Sequence, residues 1–527
     1  MIRLHPIPET NHICPYCQVR LEARGWYIPG MRTLADVVCP KCARAFYGDL
    51  PAGHGLYYPM LLERATGVVH DRYEGEWFSN WLRDSYSNRI DSPIGFESQN
   101  LLPLKRPVLL NCLDRLYGHC VLKLLNAQYY LDQHPDVDLV VLVPRFLRWM
   151  VPDGAAAIWT VGLPLSRGTQ WNDWLASELN HRISAVSDCW LSVGFSHPYP
   201  GDYDIERFTR VRPFQVEDWA TPSGRPTVTF IWREDRVWSS LPRQEGSHGP
   251  EESVTDKPVS AQDSLSDQME RVVALAQALH ETFSQTDFAV AGLGQPEGLP
   301  DWVADLRTRE ITDAVERSWC ERYAKSHVVI GIHGSNMLLP SAHAGAVIEL
   351  VPLNRWDNLV QDILPTARDV REAMYRYRFL PLATPATTVS EVTTSLLRRL
   401  PYALLNFKRP WVDHEAVATE PWLTEARRRE TGERLVFEKD YQATRAENRE
   451  LKLRLTQFRD SRSWKVTKPL RLLAEIAQGS AEAKDHEATL PGNTSLRHRL
   501  AQLHDSSSWR LTAPIRRISQ RLRKLRH

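Results

Sequence analysis

Short apolar runs alternate with stretches of helical spacing through much of this 527-residue chain. The runs have the length of buried strands and end at turn residues or proline. One of the intervening helices is expected to carry Ile311, Val315, Trp319 and Tyr323 on a single face. Repeated β-α alternation predicts parallel sheets with helices on both faces, which is the α/β class. The predicted strands are 108–111, 139–143, 226–232, 288–291, 327–332 and 346–351, and the other predicted helices are 116–131 and 268–283.

The length and the shifts in composition divide the chain into four parts. At roughly 150 residues per domain, the length allows three or four units. We expect a small module over 1–55, two Rossmann-like domains over 60–222 and 223–405, and a helical tail over 406–527. Residues 243–266 are rich in Ser, Gly, Pro and charge, so they are expected to form a disordered surface insertion.

Four of the eight cysteines form two Cys-x-x-Cys pairs near the N-terminus, Cys14 with Cys17 and Cys39 with Cys42. Four thiolates at this spacing predict a closed tetrahedral site for structural zinc, as in a zinc ribbon. A closed site has no open position for catalysis, so the module is expected to stabilise or dock. Reduced thiols without metal are the alternative.

The charge balance argues against a polyanionic partner such as a nucleic acid. Lys plus Arg number 65 and Asp plus Glu number 64, for a formal net charge of +1. No apolar run reaches the ~18 residues of a membrane-spanning helix, and residues 1–10 lack the apolar region of a signal peptide. We therefore expect a cytoplasmic protein with reduced thiols.

The most informative segment runs from His327 to Asn336 and continues through 345–352. It reads as a buried strand, a turn of small residues, a helix start and a second strand. Such a turn at the carboxyl edge of a parallel sheet offers backbone N–H groups to a diphosphate. Gly334 permits close approach of a ligand, Ser335 is expected to cap the helix, and His333 is expected to donate to a phosphate oxygen. An ordinary strand-turn-helix corner with a structural histidine is the alternative.

This strand, followed by His-Gly and then Gly-Ala-Val-Ile-Glu-Leu-x-Pro, resembles the signature of glycosyltransferase family 61. The resemblance covers about residues 105–380 and implies a GT-B architecture, with two Rossmann-like domains facing a cleft. It also implies inverting transfer from a nucleotide-diphosphate sugar without a catalytic metal. By this resemblance, His333, Gly334, Ser335 and Asn336 hold the diphosphate and Glu349 binds the ribose hydroxyls. Ser335 and Asn336 stand where the family usually has Ala-Gly.

Two weaker matches supply further candidates. The strand 227–232 is followed by Arg233 and Arg236, and resembles the family strand that ends in an arginine facing the donor phosphates. Arginine would offset the charge that develops on the leaving nucleotide. An exposed charged turn is the alternative.

On the acceptor side, residues 116–124 resemble the family's N-terminal pattern, with Cys120 in place of tryptophan and Lys123 in place of the acid. Inverting transfer needs a base for the acceptor hydroxyl. Asp114 and His119 are the candidates nearest in sequence. A structural histidine on a helix is the alternative.

The last hundred residues have their own pattern. The segment 461–471 recurs as 506–516, and resembles tails of bacterial polysaccharide glycosyltransferases. Residues 510–526 carry seven basic side chains and no acid, with Ile515, Ile518, Leu522 and Leu525 on one helical face. A basic amphipathic helix binds anionic membrane surfaces, which suits a lipid-linked acceptor and a peripheral location at the inner face of the membrane. A solvated or partner-binding tail is the alternative.

Together these features predict an inverting, metal-independent glycosyltransferase of surface polysaccharide biosynthesis. Two rivals remain. A non-catalytic glycan-assembly scaffold would keep the fold, and Lys123 in the acidic position favours it. A nucleic-acid-binding zinc ribbon with an accessory α/β body is disfavoured by the near-neutral charge.

Overall fold

The computed structural model describes residues 1–407, except 72–75, 197, 200–202, 216–224, 240–260, 285, 360, 362 and 365–369. The repeat at 461–471 and 506–516 and the basic segment 510–526 lie outside the described residues. Within the described part, one antiparallel sheet and two largely parallel sheets form a mixed α/β structure.

The elements of the first half run from residue 2 to residue 209. They are β1 (Ile2–His5), β2 (Glu22–Tyr27), β3 (Leu34–Val38), β4 (Ala45–Asp49), β5 (Met60–Glu63), β6 (Val69–Asp71), α1 (Glu76–Ser87), β7 (Phe96–Asn100), β8 (Pro107–Asn111), α2 (Tyr117–Leu125), α3 (Ala127–Gln133), β9 (Asp138–Pro144), β10 (Ala157–Val161), α4 (Asp173–Ile183), β11 (Cys189–Leu191) and α5 (Ile205–Thr209).

The elements of the second half run from residue 227 to residue 407. They are β12 (Thr227–Trp232), α6 (Ala261–Thr282), β13 (Asp287–Leu293), β14 (Ala304–Thr308), α7 (Asp313–Lys325), β15 (Val328–Ile332), α8 (Leu338–His343), β16 (Ala346–Val351), α9 (Val370–Arg376), β17 (Tyr377–Pro381) and α10 (Ala386–Phe407).

Strands β2 to β6 form the antiparallel sheet in chain order. Together with the loop that carries Cys14 and Cys17, they make up a unit over residues 12–71, here called the cysteine module. The module continues beyond residue 55, because β5 pairs with β4 and β6 pairs with β5. Strand β1 is not part of it, since Ile2–His5 pair with β11 of the next sheet.

The first parallel sheet has the order β1-β11-β8-β9-β10-β7. Its four inner strands are parallel, and β1 and β7 are antiparallel edge strands. Strands β8 and β9 read as continuous apolar runs because helices and the cysteine module cover both of their faces. The chain order of the parallel strands reverses between β8 and β11.

The second parallel sheet has the order β14-β13-β12-β15-β16-β17, and every pairing in it is parallel. Counted from its first strand, this order is 3-2-1-4-5-6, which is the doubly wound arrangement of dinucleotide-binding folds. Strand order reverses between β12 and β15. In open sheets of this kind, ligands bind beyond the carboxyl ends of the two strands at the reversal.

One hydrophobic core joins the two parallel sheets. Val121 of α2 and Val141 of β9 belong to the same buried cluster as Cys320 of α7 and Leu338 and Ala342 of α8. The carboxyl ends of β8 and β15 are therefore held near each other by shared packing.

All six predicted strands correspond to strands of the structure, but three helix predictions need correction. The helix expected over 116–131 is two helices, which meet at Asn126. The buried face of α7 is formed by Glu316, Cys320 and Tyr323, whereas Ile311 precedes the helix and is exposed. Residues 261–266, expected in the disordered insertion, begin α6.

Candidate active site

The turn at residues 333–336 lies at the strand-order reversal of the second sheet. Arg233 directly follows β12, and His333 directly follows the neighbouring strand β15. Arg233 Nη1 donates to the His333 carbonyl at 3.1 Å and to Asn336 Oδ1 at 2.8 Å. Arg236 Nη1 donates to the same carbonyl. The two arginines that the sequence singled out thus meet on one backbone oxygen of the turn.

Glycine at position 334 is required by this arrangement. Its φ of 147° lies in the region that L side chains rarely adopt, and a Cβ there would lie 2.4 Å from Arg233 Nη1. Ser335 does not cap a helix, contrary to the sequence prediction. It lies in a short 3-10 turn, 335–337, and α8 begins only at Leu338, without a capping side chain from the described residues.

The His333 imidazole faces into the protein rather than into solvent. Its side chain is only 2% exposed, and Nδ1 lies 2.7 Å from Oε2 of Glu349, a wholly buried residue within β16. A carboxylate at one ring nitrogen fixes the orientation of an imidazole. This buried pair therefore fixes the start of the 333–336 turn to β16.

A second group lies beyond the carboxyl end of β8 in the first sheet. We call Asp114, His54, His119 and Lys123 the Asp114 cluster. Asp114 Oδ2 lies 2.8 Å from Lys123 Nζ and 2.9 Å from His54 Nε2. Its other oxygen, Oδ1, lies 3.3 Å from His119 Nδ1 and accepts from the Leu116 N–H at 3.2 Å. The fully buried carboxylate thus faces four donors.

These contacts decide the charge of the cluster. Burial by itself would raise the pKa of Asp114, but the Lys123 ammonium and the hydrogen bonds from His119 and His54 hold that pKa well below its usual range. Burial lowers the pKa of His54 to about 4, although Asp114 opposes the shift. Asp114 is therefore ionised at neutral pH, and His54 is a neutral donor through Nε2.

His119 is the member of the cluster that reaches solvent, with 17% of its side chain exposed. Because the ionised Asp114 only accepts hydrogen bonds, the His119 nitrogen that faces it, Nδ1, carries the proton. In a neutral imidazole this leaves Nε2 as an acceptor. A carboxylate that holds an imidazole in this tautomer is the arrangement of a general base.

His54, Asp114 and His119 also offer three ligand atoms within 4.8 Å of one another. A divalent cation does not suit this position, because the Lys123 ammonium already lies 2.8 Å from the same carboxylate. The cluster is better suited to moving a proton than to holding a metal.

The two groups meet through the start of α2. Gly118, one residue before His119, is so close to the 333–336 turn that a Cβ would lie 2.8 Å from Ser335 Cβ. Tyr117 Oη donates to Glu316 Oε1 of α7 at 2.9 Å. Trp149 Nε1 donates to Glu316 Oε2 at 2.8 Å. These contacts hold the Asp114 cluster beside the 333–336 turn.

The four cysteines of the module come together as the sequence predicts. Their sulfur atoms all lie within 4.8 Å of one another, and Cys14 and Cys42 are 3.8 Å apart. Four sulfurs at about 2.3 Å from zinc would be separated by roughly 3.8 Å. The residues at this site therefore fit a tetrahedral metal ion.

Both Cys-x-x-Cys pairs lie in turns of the same form. Gln18 N–H donates to the Cys14 carbonyl and Ala43 N–H donates to the Cys39 carbonyl. Gln18 and Ala43 share a φ of 58°. The matching backbones orient the two pairs toward one common centre.

Two members of the Asp114 cluster escaped the sequence analysis. His54 lies 60 positions before Asp114, in a different sheet unit, so no local pattern signals their contact. In the sequence, Lys123 stands out only as a departure from the family pattern. Its spacing, nine residues after Asp114 and four after His119, places it on the same side of α2, and this signal was available.

No family model matches this sequence, and no curated protein matches it. Two glycosyltransferases are among the solved structures that resemble it. The ADP-heptose lps heptosyltransferase II of E. coli is 9% identical with a TM-score of 0.31, and the match covers 56% of this chain and 98% of that one. The spinosyn forosaminyltransferase SpnP is 10% identical with a TM-score of 0.24, covering 62% and 98%. Similarities this low establish neither the fold nor the function of this chain.

Among the described residues, no helix is both long enough and apolar enough to cross a bilayer.

Proposed function

We propose that this protein is a glycosyltransferase that passes a sugar from a nucleotide-diphosphate donor to a hydroxyl of a glycan acceptor. One observation carries the proposal. Arg233 and Arg236 contact the 333–336 turn at the strand-order reversal of a doubly wound sheet. His119, which Asp114 orients, lies beside the same turn. Such a reversal is where nucleotides bind in sheets of this order.

The donor diphosphate is assigned to Arg233, Arg236 and residues 334–336. Guanidinium groups match phosphate oxygens with paired donors and keep their charge at any physiological pH. At the moment of transfer they would offset the charge that grows on the leaving nucleoside diphosphate. His333 and Glu349 hold the turn in place, so Glu349 is reassigned from the ribose to the support of His333.

The acceptor hydroxyl is assigned to His119. Its Nε2 takes the hydroxyl proton while the acceptor oxygen attacks the anomeric carbon. The bond from that carbon to the diphosphate breaks in the same step, with inversion. Asp114 holds the ring and stabilises the imidazolium that results. Asp114 is too deeply buried and too fully bonded to act as the base itself.

The finer parts of the proposal rest on sequence patterns. Membership of glycosyltransferase family 61 and a role in surface polysaccharide assembly rest on the segment 327–352. A lipid-linked acceptor and contact with a membrane surface rest on the basic segment 510–526.

We also propose that Cys14, Cys17, Cys39 and Cys42 hold one structural zinc ion. Zinc would fix the two turns and supply no chemistry, since four thiolates complete its coordination. Metal analysis of the purified chain is expected to give about one equivalent, and Cys39→Ser is expected to lose it. Less than half an equivalent in the wild type would contradict this assignment.

The donor site is tested by binding nucleoside diphosphates. In a thermal-shift panel of such compounds, at least one is expected to raise the melting temperature, because a ligand at one hundred times its Kd stabilises by about 2.7 kcal/mol. Arg233→Gln should abolish the shift. Arg271→Gln is the matched control, because Arg271 is equally buried and also pairs with an aspartate, but it lies on α6 rather than at the 333–336 turn.

Turnover then separates the enzyme from its rival. Release of nucleoside diphosphate from the cognate sugar donor in the presence of acceptor supports the glycosyltransferase. Tight nucleotide binding without any turnover favours the non-catalytic scaffold, in which Lys123 neutralises Asp114. Failure to bind any nucleotide would contradict both the glycosyltransferase and the scaffold.

A further inference from the structure

We infer that the cysteine module is part of the acceptor-side centre, and that His54 is the positioning residue through which it acts. The inference rests on the proposed function for its meaning, since it concerns the orientation of the proposed base. It goes beyond the zinc site, because it gives the module a role in the chemistry rather than in stability alone.

The module reaches the first parallel sheet at the strand-order reversal between β8 and β11. A 3-10 turn over Gly53–Leu56 follows β4 and lies on this edge. Gly53 N–H donates to the carbonyl of Val193, two residues beyond β11, at 2.7 Å. A Cβ at Gly53, whose φ is 54°, would lie 3.3 Å from Lys123 Cε. The turn therefore packs directly onto the edge that carries Asp114.

His54 projects from this turn into the Asp114 cluster. It is 8% exposed, and its ring centroid lies 5.0 Å from that of His119 and 4.8 Å from that of Phe78. It donates to Asp114 Oδ2 and not to the oxygen that faces His119. His54 thus acts on His119 only through the carboxylate.

The geometry of Asp114 explains why one extra donor matters. Lys123 and His54 share Oδ2, at 2.8 and 2.9 Å, while the contact of Oδ1 with His119 is the longest of the four at 3.3 Å. Without His54, the carboxylate would be free to turn toward Lys123. The long contact to His119 would be lost first, and the imidazole would lose its fixed tautomer.

The cysteine site is linked to His54 through a short, rigid path. The second cysteine turn closes with Cys39 N–H donating to the Arg44 carbonyl at 2.9 Å, and β4 begins at the next residue. At the end of β4, buried Asp49 pairs with Arg32 at 2.9 Å and accepts from the Met60 N–H at 3.1 Å. His54 follows five residues later. Metal at the cysteines would therefore fix the strand that leads into the turn that carries His54.

The first test compares three variants at saturating donor. His54→Ala is expected to lower kcat for transfer about 10- to 100-fold, the usual cost of losing a group that orients a reactive one. His54→Gln keeps an N–H donor and should recover most of the rate. Donor KM and nucleotide affinity should not change, because His54 lies at the other edge. His70→Ala, a half-buried histidine of the same module, should have wild-type kcat.

A kcat of His54→Ala within twofold of wild type would overturn the inference. So would a folded His54→Gln as slow as the alanine variant. Removing zinc by the Cys39→Ser change should reproduce the kcat loss of His54→Ala with nucleotide affinity retained, and an active Cys39→Ser enzyme would also count against it.

A second test does not need activity. Denaturation midpoints of His54→Ala, Asp114→Asn and the double variant form a cycle. The inference expects the double variant to lose less stability than the sum of the two single losses, since both changes remove the same hydrogen bond between His54 and Asp114. Simple addition of the losses overturns the inference whatever the activity. A wild type that neither binds nucleotide nor turns over instead defeats the proposed function and leaves this result standing.

Discussion

The carboxyl edges of the two parallel sheets each hold an imidazole against a carboxylate, but they arrange the surrounding charge in opposite ways. At the first edge, Asp114 is sealed between Lys123 and His54, and His119 reaches solvent. At the second edge, the pair of His333 and Glu349 is buried, and Arg233 and Arg236 lie outside it on a backbone carbonyl, with Arg233 also paired to the exposed Asp235.

The difference teaches how each edge is suited to its partner. The buried Asp114 carboxylate already faces four donors, and it orients the partly exposed imidazole of His119. Arg233 is held by the His333 carbonyl and by the exposed carboxylate of Asp235, so an incoming diphosphate would take the place of that carboxylate. Under the proposed function, the first edge takes up a proton and the second binds a diphosphate.

The sharpest test of this contrast replaces each histidine in turn. His119→Ala should lower the transfer rate about 10²- to 10⁴-fold, the range expected for loss of a general base, with nucleotide binding unchanged. His333→Ala should instead destabilise the fold, since it leaves the buried Glu349 carboxylate without its imidazole. Kinetics and urea denaturation of both variants check this. Equal rate losses with equal stabilities would erase the distinction between the edges.

The second test compares cations at the two edges. Lys123→Met should cost about 3–5 kcal/mol in the free energy of unfolding, because it leaves a buried carboxylate partly unpaired. Arg236→Gln removes a half-buried cation that donates to the His333 carbonyl and lies near the exposed Asp235, and should cost about 1 kcal/mol. Urea denaturation measures both. If Lys123→Met loses no more stability than Arg236→Gln, the description of Asp114 as a buried charge that depends on Lys123 is contradicted.

The third test concerns the glycine beneath the arginine. Gly334→Ala would push a methyl group to within 2.4 Å of Arg233 Nη1 and should weaken nucleotide binding about tenfold, or about 1.4 kcal/mol. Gly298→Ala is the control, since Gly298 also has positive φ but a Cβ there would meet only Met269 at 3.5 Å. Isothermal titration of both compares the effects. If the two variants lose nucleotide affinity equally, the loss comes from substituting a glycine of positive φ and not from the clash with Arg233.

The smallest effect expected is a pH dependence of stability. Burial lowers the pKa of His343 in α8 to about 4, as it does for His54. The unfolded chain takes up these protons near pH 6.5, so the stabilisation is full above that pH and falls as the pH drops toward 4. The slope is at most about 1.4 kcal/mol per pH unit for each histidine.

Buried carboxyls with raised pKa, such as Glu316 and Asp49, act in the opposite direction. The histidine contribution is therefore isolated by difference. Urea denaturation between pH 7 and pH 4.5 should show a flatter dependence for His343→Gln than for the wild type. Parallel curves would show that His343 is not held neutral.

The strands that build the edges could be predicted from sequence because they are buried on both faces. Strands β9 and β16 are almost unbroken apolar runs, and the turn residues after β15 have a recognisable order. Strand β7 gave no signal, since four of its five residues are exposed at the edge of the sheet.

What the sequence hid are contacts between distant polar residues. Glu316 lies off the face that the sequence predicts for this helix, yet it is buried and accepts a hydrogen bond from Trp149, 167 positions earlier. The role of His54 depends in the same way on a turn in another sheet. Propensity and spacing describe each element, whereas the partners of a buried charge depend on the completed fold.

The contact at Gly118 has a consequence for the molecule as a whole. At that point the spacing between α2 and the 333–336 turn is set by a hydrogen atom, since any larger substituent would strike Ser335 and Leu338. A single added methyl group would push them apart, and under the proposed function it would displace the base and the diphosphate site together.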